Sequence, residues 1–116
     1  MKTFKFIAAF CILSGFPVFA QAAAHSVTLT WTAPADAVAT STYSIFRATG
    51  SCTGAAFGSA LVTGVTATTY VDNTVVVGNY CYTAQQVQNG ASSVNSNLAP
   101  VSVSPLPPVN VTVTAK

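Results

Sequence analysis

The feature that most constrains this chain is a period of two. From residue 26 onward, apolar and polar side chains repeatedly exchange places at every second position. Val27, Leu29 and Trp31 fall on one face, with Thr28, Thr30 and Thr32 on the other. Tyr43, Ile45 and Arg47 alternate with Ser44, Phe46 and Ala48, and Tyr80, Tyr82, Ala84 and Gln86 alternate with Cys81, Thr83, Gln85 and Val87. Val101 and Val103 start the pattern again, and Val109, Val111 and Val113 repeat it after a proline break. Such runs, rich in β-branched and aromatic residues, describe strands with one buried face. Turn-forming clusters separate them: Ala33-Pro34-Ala35-Asp36, Thr49-Gly50-Ser51, Val71-Asp72-Asn73, Val77-Gly78-Asn79 and Gln88-Asn89-Gly90. No amphipathic helix pattern of useful length follows residue 24. Many short strands joined by turns imply an all-β antiparallel sandwich or barrel.

The first 24 residues read differently. Lys2 and Lys5 give a basic start, Phe6 to Phe16 is nearly all apolar, and Pro17 breaks any helix there. Val18 to Ala24 then supplies small residues suited to processing after Ala20, Ala22 or Ala24. This is the pattern of a secretory signal peptide, and its apolar run is short for a membrane span. A retained anchor is the alternative. Residues 1–24 are therefore expected to be a leader, 25–104 the domain, and 105–116 a proline-led closing strand, with no membrane span after processing and a secreted, extracellular or periplasmic location.

Removal of the leader changes the electrostatics. The whole chain carries a formal charge of +2, but Lys2 and Lys5 account for it. Beyond residue 24 only Arg47 and Lys116 face Asp36 and Asp72, so the charges cancel. No basic patch remains to neutralise phosphates, which argues against nucleic acid. A neutral surface of Thr, Ser, Asn and Gln also offers little charge repulsion between molecules. Two cysteines remain, Cys52 and Cys81. In an exported chain an even pair reads as one disulfide. Two buried thiols, or metal ligation by two sulfurs, are the alternatives. A bridge closing that loop would contribute roughly 3 kcal/mol in the chain-entropy description.

Five blocks, taken in order, resemble a bacterial fibronectin type III domain: Ser26 to Trp31, Tyr43 to Thr49, Thr68 to Asp72, Gly78-Asn79-Tyr80-Cys81-Tyr82, and Gly90 to Asn97. The resemblance spans about residues 26 to 103. It implies an immunoglobulin-like two-sheet sandwich, here with an extra C-terminal strand. It also implies strand B at Ser26–Thr32, C at Thr42–Ala48, C′ at Phe57–Val62, E at Ala67–Val71, F at Asn79–Val87 and G at Ser92–Val103. By the same resemblance Trp31 is the core tryptophan, and Tyr80 is the tyrosine-corner residue whose hydroxyl bonds nearby backbone. Tyr43, Ile45, Leu61, Tyr70 and Tyr82 are expected to complete the core. Gln86 stands where that family usually has a small apolar residue, so strand F is expected to end early or shift register. Cys81 lies off the Tyr80/Tyr82 face, so a bridge to Cys52 would sit outside the sheet and not between sheets.

The chemistry of an active site is not legible. After the leader there are one His, two Asp and no Glu. No paired carboxylates, nucleophile–base arrangement, phosphate loop or Cys/His metal cluster can be assembled from them. His25 could chelate copper if processing exposed it as a terminus, but no second His exists to complete such a site. The chain is thus expected to be a non-enzymatic module without cofactor. Its partners would be an extracellular protein, a glycan, or copies of itself. A glycan-binding role would want an exposed aromatic pair, for which Phe57 and Tyr43 are candidates. Self-assembly would use the closing strand, with Val109, Val111 and Val113 pairing beside strand B of a neighbour. The same strand pairing within its own molecule, or a loose terminal segment, are the other options. The loops Ala33–Ser41 and Gln88–Ser92 are expected at one pole.

Overall fold

A computed structural model describes residues 25–116. The leader assigned to residues 1–24 lies outside the described residues. Seven strands follow: β1 Val27–Thr30, β2 Thr42–Thr49, β3 Val62–Val65, β4 Thr69–Asp72, β5 Gly78–Gln88, β6 Ala91–Ser92 and β7 Ala99–Val103. β1 and β4 pair as a two-stranded antiparallel sheet. The second sheet runs β3-β2-β5, and both β6 and β7 lie on the far edge of β5. Every pairing is antiparallel. Among the described residues no helix forms, and none is long and apolar enough to cross a membrane.

The two sheets enclose the core in the way alternation requires. Ile45, Val75, Tyr80 and Tyr82 are buried between them, and Val27, Leu29, Trp31, Leu61, Tyr70 and Val101 pack around this centre. Tyr43 is also buried and meets the Trp31 ring edge-on at 5.3 Å. Because Tyr43 is a core side chain, the exposed aromatic pair envisaged with Phe57 is not presented on the surface.

Most strands begin or end within one or two residues of their expected spans, and three depart from expectation in a way that shapes the sheet. The C′ counterpart is Val62–Val65, not Phe57–Val62. Gly64, at φ +71°, hosts a register shift between the Tyr43–Val65 and Ile45–Val62 pairs, and such a bulge favours glycine. The G counterpart is interrupted. Six positions of β5, Val87 back to Tyr82, lie opposite the longer returning stretch Ser92 to Ala99. The side chains of Ser93 and Ser96 accept from the N–H groups of Gln86 and Ala84, replacing ladder bonds with side-chain bonds. β5, finally, does not end early at Gln86. It runs to Gln88, with Gln86 paired to Tyr43.

The Cys52–Cys81 disulfide is formed. Cys81 is fully buried on the centre strand, flanked across the sheet by Ala48 and Pro100. It is absent from the inter-sheet cluster, so the bridge pins the loop after β2 to the outer face of the sheet.

Candidate functional site: an open seam beside a buried ionic lock

One end of the sandwich is fixed by a compact polar network. Asp72 closes β4 and its side chain is fully buried. Its Oδ1 accepts the Thr74 N–H at 2.9 Å and the Thr74 hydroxyl at 2.6 Å. Its Oδ2 accepts from Tyr82 Oη at 2.7 Å and from Arg47 Nη1 at 2.7 Å. Four donors thus satisfy both oxygens, the arrangement a buried carboxylate requires. Burial pushes the carboxyl upward, but the bonds from Thr74, Tyr82 and Arg47 prevail and hold it at about 2. Burial and the neighbouring carboxylate push the Tyr82 phenol well above its ordinary range. The Arg47 guanidinium, which burial alone would lower, is raised by Asp72, and it lies over the Tyr80 ring at 5.2 Å. Tyr80 in turn accepts from the Val76 N–H at 3.1 Å and donates to the Val76 carbonyl at 3.0 Å. This network joins β4 of one sheet to β2 and β5 of the other. Arg47 Nη1 also donates to Thr74 Oγ1 at 2.9 Å, which closes the network on itself. Its chemistry is that of a lock.

The opposite situation holds along one side of the sandwich. β1 has a ladder on one edge only among the described residues. Beside its free edge runs a groove of about 360 Å³, walled by Val27, Leu29 and Trp31 on one side and by Ala84, Ser96 and Val101 on the other. The groove separates β1 from the free edge of β7, so both sheets are open on the same side. The Trp31 N–H bonds the Thr68 carbonyl across the β1–β4 ladder. By antiparallel alternation, the N–H and C=O groups of Thr28 and Thr30 then face the free edge. Val27 and Leu29 remain only half-buried, so the apolar face of β1 is incompletely covered.

A second groove, of about 170 Å³, continues from the first past Trp31, Ala84 and Ser96. The two buried side-chain atoms without a partner among the described residues, Trp31 Nε1 and Gln86 Oε1, belong to residues that line it. At this pole Gln86 Nε2 donates to Asp36 Oδ1 at 3.2 Å and Gln88 Nε2 to the Asp36 carbonyl at 3.0 Å. The loop after β1 is thereby tied to the end of β5.

Residues 104–116 contribute no strand to either sheet. The extra closing strand expected from the sequence is not formed within the molecule: the segment has no ladder partner, and a strand without one is not stable in water. Val109, Val111 and Val113 are between 71 and 89% exposed. Asn110 sits at φ +55°, a conformation asparagine tolerates, and the chain bends there.

The structure thus brings Trp31, Tyr43, Ile45, Leu61, Tyr70, Tyr80 and Tyr82 together in or around one core, joins Cys52 to Cys81, and leaves the three tail valines apart. Val75, fully buried, and Asp72, paired to Arg47, are the participants that alternation did not single out. No group of three or more His, Cys, Asp or Glu that could hold a metal occurs among the described residues.

The fold is that of a fibronectin type III-like domain. Among solved structures, the chain is similar to a Fn3-like protein from Clostridium thermocellum, with a TM-score of 0.57 and 28% identity over 71% of this chain and 80% of that one. No protein-family model matches the chain, and no curated protein matches it.

Proposed function

We propose that this chain is an exported, non-enzymatic interaction module that binds protein by accepting an extended segment along its open seam. The observation that carries the reading is the free edge of β1 above an apolar groove. Outward-facing N–H and C=O groups at Thr28 and Thr30 supply main-chain bonding for any extended peptide. Val27, Leu29, Trp31 and Val101 supply pockets for alternate side chains. A vacant edge over a half-covered core is otherwise a liability that proteins tend to cover. The disulfide supports an oxidising compartment, and the engagement of both aspartates in hydrogen bonds within the fold supports a binding role over a catalytic one.

The test is selection of a random peptide library on the folded protein, followed by backbone amide spectra. Selected peptides should alternate apolar residues and shift the Thr28 and Thr30 amides. Peptides that bind elsewhere, or no binders at all, remove the reading.

A further inference from the structure

If the seam accepts a strand, its occupant can be narrowed by following the chain's direction. Val27 lies opposite Asp72 in one sheet, and Val103 lies opposite Gly78 in the other. Asp72 and Gly78 are separated only by residues 73–77. The start of β1 and the end of β7 therefore share one pole. β1 runs away from that pole, β7 runs toward it, and the closing segment leaves the molecule there.

From this pole the closing segment has two routes to a β1 edge. To reach its own, it must reverse within Ser104–Pro108 and run parallel to β1. Ser104, Leu106 and Pro107 each precede a proline, which holds them extended, and Pro105, Pro107 and Pro108 have fixed φ. Such a stretch resists reversal. Continuing outward, it arrives at the far pole of a second molecule and runs antiparallel to that molecule's β1, the sense of every pairing in this fold.

Resting on the strand-acceptor reading above, we infer that the occupant of the seam is residues 109–114 of a second copy of this chain, giving head-to-tail assembly. Four observations meet. The segment alternates Val109, Val111 and Val113 and has no partner of its own. Its valines are among the most exposed large apolar side chains of the molecule. The acceptor edge is about 13 Å long for its four residues, and six residues from Val109 to Thr114 reach about 20 Å, enough to cover it. With Arg47 and Asp72 paired to each other, little charge opposes contact between copies. On binding, Asn110 leaves its bent conformation and extends. Donor and acceptor surfaces lie at different places on one molecule, so the contact is heterologous and propagates.

The test uses light-scattering mass over a concentration series, with two defective variants. Val111→Asp spoils the donor and should weaken association at least about tenfold. Thr28→Pro removes an N–H that faces the seam while sparing the β1–β4 ladder. The unaltered protein should grow in mass with concentration, and each variant alone should stay monomeric. Mixed together, they should form one-to-one pairs that extend no further, because only one competent donor and one competent edge remain. An unaltered protein that stays monomeric at every concentration, a variant that still polymerises alone, or a mixture that stays monomeric overturns the inference. So does a monomer whose Thr28 and Thr30 amides are protected and lose protection in Val111→Asp, which is closure onto its own edge. If Thr28→Pro does not fold, a synthetic peptide of residues 105–116 added to Val111→Asp replaces it: binding supports the inference and no binding overturns it. Library peptides that shift Thr28 and Thr30 beside a monomeric protein leave the acceptor reading standing while this one falls. Absence of both sinks the two together.

Discussion

Replacing Asp72 with Asn should expose how much the fold depends on the buried Asp72–Arg47 ion pair. The carboxylate has no exposed surface and accepts four bonds, two on each oxygen. Asn keeps one acceptor oxygen and offers an NH2 in place of the other. The hydroxyls of Thr74 and Tyr82 can rotate to accept from that NH2, but the Thr74 N–H and the Arg47 guanidinium cannot. Whichever way the amide turns, a fixed donor faces a donor. Losing a charge-assisted bond costs about 1.5–3 kcal/mol, and leaving a buried donor unpaired costs about 1–3. The Arg47 side chain is 24% exposed, so water can relieve part of this. A loss of about 3 kcal/mol follows, at the low end for a broken buried pair. In a domain of this size that is a fall in Tm of roughly 12–20 °C.

The acid side gives a second, more specific signature of the same residue. With its folded pKa at about 2, below the ordinary carboxylate value near 3.9, Asp72 binds its proton more weakly folded than unfolded. Its contribution, about 2.5 kcal/mol, is therefore complete above about pH 5 and fades as pH falls toward 2. Urea unfolding at pH 7, 4 and 2.5 measures both effects. The unaltered protein should weaken across the acid range, and Asp72→Asn should start lower and lack that part of the decline. A variant losing under about 1 kcal/mol, or an unaltered protein with flat stability down to pH 2.5, would refute the view that this network locks the sheets.

Other expectations concern single features. Reducing Cys52–Cys81 should lower stability by about 3.5 kcal/mol in urea, given the 29-residue separation. Gly64→Ala should cost about 1 kcal/mol from its φ of +71° alone, since nothing lies within 4 Å of the added carbon. Gln86→Met should leave stability unchanged or raise it by up to about 1 kcal/mol, because it removes a buried carbonyl without a partner and gives up only an exposed 3.2 Å bond to Asp36. Tyr80→Phe should cost about 1 kcal/mol, as Val76 is half exposed and water can replace the hydroxyl.

Most of the sandwich was legible because strand patterning is local. Val27, Leu29, Tyr43, Ile45, Tyr80 and Tyr82 announce their inward face by spacing alone, and their burial follows. What was not legible depends on partners distant in sequence. Asp72 reads as an ordinary turn residue, and its burial depends on Tyr82 and Arg47, 10 and 25 positions away, as well as on neighbouring Thr74. A signal did exist: Arg47 shares the inward face with Tyr43 and Ile45, and an inward arginine needs an aspartate, of which the sequence has two, Asp36 and Asp72. The shifted C′ strand hinged on Gly64, where backbone freedom and not hydrophobicity sets the register. The candidate site was half visible. The tail's alternation stands in the sequence, whereas the groove that could receive it arises only when β1 and β7 meet across two sheets.

The central claim is that the free edge of β1 is an acceptor for the closing segment of another copy. Amide hydrogen exchange at Thr28 and Thr30, followed as protein concentration rises, tests it most directly. Protection that grows with concentration, and is absent in Val111→Asp, is the expected result. Free exchange of both amides at every concentration would contradict it.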